Sequence, residues 1–83
     1  MSIAIDRGKD RVGIAVAGAW TAAARTIGDG ATVVVQHGTD PPYAFDAEQG
    51  AAGWVCPALE PAEIPAIVKS LARRALRQLP TTL

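Results

Sequence analysis

The segment from Ala62 to Leu79 constrains the fold more tightly than any other part of the chain. Its apolar side chains recur at the i, i+3, i+4, i+7 spacing of one helix face: Ile64, Ile67, Val68, Leu71, Ala75 and Leu79. Pro65 lacks a backbone N–H and suits the first turn, so we expect the helix to begin near 62–65 and to stop at Pro80. Such a helix needs a second layer to cover its apolar face.

The residues before this helix are patterned largely as short strands. Residues 3–5 and 12–17 alternate apolar with smaller or polar side chains, which predicts two strands joined by a hairpin loop at 6–11. Residues 19–27 are ambiguous. Their apolar spacing and alanine content favour a short helix, whereas the following Gly28-Asp29-Gly30 favours a strand that ends in a tight turn.

The segment Ala31–His37 is the clearest strand of the chain. It contains Val33-Val34-Val35 and few polar residues, which predicts a central strand buried on both faces. Residues 43–46 and 53–56 indicate a second hairpin that turns at 47–50 and is closed by Pro57. Of the aromatic residues here, we expect Phe45 or Trp54 in the core and Tyr43 outside it.

These patterns predict one α+β domain over residues 1–83. It has a small antiparallel sheet of four or five short strands and the C-terminal amphipathic helix, with a second short helix near 19–27 as the alternative. Alanine occupies 17 positions, so large core side chains are few and a homodimer would bury more apolar surface. No apolar run approaches the length of a membrane span, and we expect a cytoplasmic protein.

The only cysteine is Cys56, which excludes an internal disulfide and a structural zinc site built on several thiolates. Two interpretations remain open for it, a buried inert thiol and an intermolecular disulfide. A Cys56–His37 dyad would need the two side chains in contact, and nothing in the sequence places them together. No phosphate-binding glycine loop is present. We therefore expect neither a catalytic set, a metal nor a cofactor.

Charge is strongly separated along the chain. Residues 1–63 carry eight acids against four bases, whereas residues 64–83 carry four bases and no acid. This separation indicates a contact surface. The candidate binding residues combine exposed acids with nearby aromatic residues: Asp40, Asp46, Glu48, Tyr43 and Trp54. Pairing of the acids with the basic helix, within one chain or across a dimer, is the alternative interpretation.

A secondary candidate is the basic stripe of the C-terminal helix. Lys69, Arg73 and Arg77 fall on one side, opposite the apolar face. They could contact nucleic-acid phosphates, but a solvated helix face is the simpler interpretation because four bases are few for such binding. We expect no direct nucleic-acid binding.

The segment Ile5-Asp6-Arg7-Gly8-Lys9-Asp10-Arg11-Val12-Gly13-Ile14-Ala15-Val16 resembles the first hairpin of Holliday-junction-resolvase-like proteins of the RNase H fold. The resemblance implies that Asp6 matches the metal-binding carboxylate, and that Arg11 and Gly13 match the turn and second strand. It covers 12 residues, and the later acidic segments of that family have no counterpart here. A truncated nuclease is therefore kept as an alternative function.

In its short length, lack of a catalytic set and charge separation, the chain is similar to anti-CRISPR proteins. These inhibitors share no common motif, so the resemblance assigns no residue a role. It implies a small non-enzymatic binding protein in a host bacterial cell, whose partner is a CRISPR surveillance complex. Its acidic surface would compete with DNA for a channel lined by Lys and Arg. A phage virion component is the other alternative, because residues 30–36 resemble short β-rich structural proteins.

Overall fold

The computed structural model of the protein describes residues 12–79. The described elements are five strands, a 3₁₀ turn and one helix: β1 (Val12–Ala17), β2 (Trp20–Ile27), β3 (Gly30–His37), β4 (Tyr43–Gly50), β5 (Gly53–Val55), the 3₁₀ turn Pro57–Leu59 and α1 (Ala66–Arg77). This arrangement confirms the α+β class with its small sheet and C-terminal helix. The strand expected at residues 3–5, the loop at 6–11 and the stop at Pro80 lie outside the described residues.

The sheet is an antiparallel meander in the order β1-β2-β3-β4-β5, so each strand pairs with the next one along the chain. The turn between β2 and β3 begins at Gly28, whose φ of 60° is left-handed and favours glycine. Residues 19–27 thus form strand β2, and the short helix considered for them is wrong. Pairing with β1 on one side and β3 on the other outweighs the helix propensity of the alanines.

The helix α1 covers one face of the sheet, which we call the inner face, and packs mainly against β1, β2 and β3. The side chains that meet there are mostly small on the sheet side and include leucines on the helix side: Ala15, Ala22, Ala24, Ala31, Val33, Val35, Phe45, Ala47, Leu59, Val68, Leu71, Ala72, Ala75, Leu76 and Leu79. Small side chains let the helix approach the sheet closely. The expected burial of Phe45 and exposure of Tyr43 are confirmed.

The closest approach is at Gly13 in β1. A Cβ placed on Gly13 would lie 1.9 Å from the backbone oxygen of Ala75, so only glycine fits beneath the end of α1. Three residues after Ala75, the Gln78 side chain forms hydrogen bonds with the backbone of β1, at the edge that pairs with no described strand. The Ile14 N–H donates to Gln78 Oε1 at 3.1 Å, and Gln78 Nε2 donates to the Ile14 carbonyl. The amide therefore closes part of an edge that would otherwise be open to another strand.

Three details of the sequence prediction are wrong. The helix begins at Ala66, directly after Pro65, and its Ile67 is 37% exposed, because the buried face is shifted towards Ala72 and Leu76. Strand β4 continues to Gly50, so the turn lies at residues 51–52 and not at 47–50; the inward-facing Ala47 keeps β4 paired with β3.

The third correction concerns the triple valine of β3. Val33 and Val35 are fully buried against the helix, but Val34 points to the other face and is 37% exposed. The central strand is therefore covered on one face within the described chain. The side of the sheet that carries Val34 is thus a candidate interaction surface.

Candidate interaction surface

The two faces of β1 have unequal side chains, and the larger ones point away from the core. The residues directed to the inner face are Gly13, Ala15 and Ala17, whereas those directed to the other face are Val12, Ile14 and Val16. Ile14 and Val16 are each 56% exposed. Burial normally favours the opposite arrangement, since each buried methylene contributes about 0.8 kcal/mol. Within residues 12–79, nothing covers these outward side chains.

Apolar side chains continue across the sheet from β1. The register places Ile14, Ala23, Val34 and Ala44 in one row over four neighbouring strands. We call the side of the sheet away from α1 the open face, and its members are Val12, Ile14, Val16, Thr21, Ala23, Arg25, Ile27, Gly30, Thr32, Val34, Gln36, Ala44, Asp46, Glu48 and Val55. Its exposed aliphatic area is on the order of 500 Å², comparable to the largest apolar patch of a typical monomer.

Charged and polar groups border this apolar row. Arg25, Thr32 and Asp46 form the adjacent row, in which the Thr32 hydroxyl donates to Asp46 Oδ1 at 3.3 Å. Glu48 lies two residues further along β4, opposite Val55. Asp46 and Glu48 are both exposed. The open face therefore offers an apolar centre with two carboxylates at one margin.

The acids of the described chain are not neutralised by its bases. Between residues 12 and 79, no carboxylate lies within the 4.0 Å ion-pair distance of a Lys or Arg nitrogen. The alternative in which the acidic block pairs with the basic helix inside one molecule is therefore not observed in that range. Pairing across a dimer stays open.

The five binding residues predicted from sequence do not form one surface. Asp46 and Glu48 lie on the open face, whereas Asp40 lies in the loop after β3, where its Oδ2 is 3.2 Å from His37 Nδ1. His37 stacks on Trp20 with ring centroids 4.5 Å apart, and a shallow cleft there includes Tyr43. The structure thus groups Asp40 with Tyr43, apart from the other two acids.

Trp54, the fifth predicted residue, belongs to the inner face and packs against the core. Cys56 follows it, is half-buried, and its thiol donates to the Asp46 carbonyl at 3.3 Å. Partial burial raises the pKa of the Cys56 thiol above its ordinary value of 9.0. This thiol stays protonated at neutral pH and donates to a backbone carbonyl. Among the described residues no hydrogen bond joins it to His37, so the two do not form a nucleophile–base pair.

The secondary candidates lie along α1. Arg73 and Arg77 are exposed and line a groove beside Trp54, and Lys69 is half-buried nearer the start of the helix. Arg73 and Arg77 thus border the sheet at β5, so the predicted stripe is not directed wholly away from the sheet. The stripe and the open face lie on different layers of the molecule, so one flat partner surface cannot contact both.

The apolar part of the open face was missed in the selection of site residues from sequence. The signal was present in β1, where large and small apolar residues alternate strictly, but the pattern alone does not say which set faces the core. In residues 12–79, no three His, Cys, Asp or Glu side chains are grouped so as to hold a metal ion. No described helix has the length and apolar character needed to cross a membrane. No protein-family model, curated protein or solved structure matches the chain.

Proposed function

We propose that the chain is a non-enzymatic binding domain that docks on a protein partner through the open face. The observation that carries this proposal is the orientation of β1, which directs Ile14 and Val16 outward and alanines inward. An aliphatic row that crosses four strands and is left uncovered by residues 12–79 gains free energy when a partner buries it.

The charges of the open face indicate the chemistry of the partner. Asp46 and Glu48 are exposed beside the apolar row and face one base, Arg25. A complementary surface would present an aliphatic strip bordered by Lys or Arg. Exposed carboxylates also repel nucleic acid, so the chain would bind the protein that handles nucleic acid rather than the nucleic acid itself.

Surfaces that combine basic and apolar groups line the channels of nucleic-acid-handling complexes. We therefore propose an inhibitor of the anti-CRISPR type, which occupies the Lys- and Arg-lined channel of a CRISPR surveillance complex and blocks DNA entry. The support for this finer proposal is the charge of the open face together with the small size of the domain.

The test measures target-DNA binding by a guide-loaded surveillance complex in the presence of the purified chain. The wild-type chain should block DNA binding, and Asp46→Lys/Glu48→Lys should raise the concentration needed by about 100-fold, because like charges then meet across the interface. The matched control Glu60→Lys/Glu63→Lys makes the same charge change outside the open face and should act like wild type. Asp40→Lys tests the separate cleft and should also act like wild type.

A second variant tests whether the apolar row itself contacts the partner, independently of the charges of Asp46 and Glu48. Ile14→Asp/Val34→Asp places two carboxylates in the apolar row. They are hydrated in the free protein and would lose that hydration in a complex, so the variant should bind its partner weakly. Loss of inhibition in this variant, with an unchanged circular dichroism spectrum, supports docking through the open face. Equal inhibition by all variants would refute the proposal. If sedimentation shows a dimer that only Ile14→Asp/Val34→Asp dissociates, the open face is a homodimer interface and the inhibitor proposal fails.

A further inference from the structure

A groove lies between β5 and the C-terminal half of α1, on the side of the molecule that carries the helix. Its volume is about 680 Å³. The residues that decide its chemistry come from β5, from the segment after it and from α1: Trp54, Cys56, Leu59, Arg73, Leu76 and Arg77. Of the described residues that line the groove, only Val55 belongs to the open face, so the groove and the docking surface adjoin at that residue and are otherwise separate.

The floor of the groove is apolar. Leu59 and Leu76 are buried core residues, 1% and 3% exposed, and the half-buried Trp54 ring flanks them. A ligand that enters far enough to touch these side chains gains free energy by burying aliphatic or aromatic surface. The floor therefore selects a ligand with an apolar body.

The rim of the groove is basic. Arg73 and Arg77 are four residues apart, which is about one helical turn, so they rise from the same side of α1. Glu60 also borders the groove, yet no carboxylate in residues 12–79 comes within 4.0 Å of either guanidinium. Among the described residues that line the groove, two guanidiniums against one carboxylate leave the rim positive. Arginine binds carboxylates through paired N–H donors, which suits it to this position.

The indole of Trp54 gives a third observation. Its Nε1 is buried and, within residues 12–79, is the single buried side-chain polar atom without a hydrogen-bond partner. Buried indole N–H groups normally find an acceptor. The groove thus combines an apolar floor and a cationic rim, and its wall residue Trp54 carries a buried, unsatisfied donor.

We propose that this groove is a binding site for an apolar carboxylate, a compound with an aliphatic or aromatic body and one anionic head. The body lies over Trp54, Leu59 and Leu76, and the head contacts Arg73 and Arg77. Ligand binding then gives a role to Arg73 and Arg77, the two members of the basic stripe that line the groove.

The experiment uses decanoate below its micellar concentration, with Trp20→Phe as the background so that Trp54 is the only tryptophan. Decanoate should change the Trp54 emission with saturation. Arg73→Gln/Arg77→Gln should weaken binding at least tenfold, as expected for the loss of charge-assisted contacts. The matched control is Lys69→Gln/Arg74→Gln, which removes the same charge from residues that do not line the groove. It should change the affinity less than twofold.

Two further probes test each part of the ligand separately. Decanol keeps the apolar body without the charge and should bind at least tenfold more weakly than decanoate. Acetate has the carboxylate without the apolar body, and its effect on the Trp54 emission should not saturate. Alkylation of Cys56 by iodoacetamide gives a second readout, because bound decanoate should slow it in the wild-type chain.

Several results would overturn the proposal. They are an unchanged Trp54 emission with decanoate, equal affinity for decanol, or an equal loss of affinity in the Lys69→Gln/Arg74→Gln control. Urea unfolding of each variant confirms that the fold is intact. None of these variants alters the open face, so their outcome is separate from the test of inhibition.

Discussion

Replacement of Gly13 by Ala tests how α1 is held on the sheet. The new Cβ would lie 1.9 Å from the Ala75 oxygen and 3.1 Å from the Gln78 Cβ. Cβ atoms essentially never approach other atoms closer than 3.0 Å, so the helix end and β1 must separate by roughly 1 Å. The obstructing atom belongs to the backbone, so no side-chain rotation can relieve the contact.

The expected loss of stability has two parts. Overpacking in a filled core costs about 1–3 kcal/mol. Separation of the layers also breaks the two hydrogen bonds between Gln78 and Ile14, each worth about 0.5–1.5 kcal/mol. Alanine returns about 0.5–1 kcal/mol through lower backbone entropy in the unfolded chain. The net loss in the free energy of unfolding is about 3 kcal/mol.

Urea unfolding measures this loss. With a slope of about 1 kcal/mol per molar urea for a chain of this size, the midpoint should fall by about 3 M. Gly18→Ala is the matched control, because its φ of +62° brings backbone strain of about 1 kcal/mol while its Cβ meets nothing within 4 Å. If Gly13→Ala is no more destabilising than Gly18→Ala, the close approach of α1 to β1 is refuted.

Three other outcomes are expected. Gln78→Ala should lower the free energy of unfolding by about 2 kcal/mol and speed amide exchange at Ile14, and unchanged exchange would exclude the edge contact. Val34→Thr should change stability by less than about 0.5 kcal/mol, whereas Val33→Thr should cost about 2 kcal/mol by burying a hydroxyl, both measured in urea. The raised pKa of Cys56 means that the folded state holds the thiol proton more tightly. The contribution of Cys56 to stability is therefore fully present below its ordinary pKa of 9.0 and is lost as the pH rises through the folded pKa; Cys56→Ala should remove that part of the fall.

Much of the fold was predictable from periodicity. The period of two in β1 and the helical spacing of α1 are set by which side chains are apolar, and both predictions are confirmed. The segment β2 was ambiguous because alanine fits a helix and a strand, and the choice depends on its neighbours β1 and β3. The turn after β4 was misplaced because Ala47 and Gly50 carry little pattern.

The site was less predictable than the fold. Asp46 and Glu48 were identified from charge, but their separation from Asp40 depends on strand direction and loop geometry. The exposure of Val34 depends on which face of the sheet the helix covers. The three valines are identical, and only Thr32 and Gln36, which share the face of Val34, mark that face as the more polar one. The groove between β5 and α1 joins residues about twenty positions apart, a distance that local patterns do not encode.

The order of elements along the chain has a consequence for synthesis. All five strands precede α1, and neighbouring strands can pair as soon as each hairpin emerges. Until residues 66–79 are synthesised, however, the alanine-lined inner face of the sheet is exposed to solvent. The open face of the same nascent chain is also aliphatic. During that interval both faces of the sheet expose apolar side chains, and aggregation competes with folding of the complete domain. Slower translation ahead of the helix would lengthen that interval and lower the yield of folded protein.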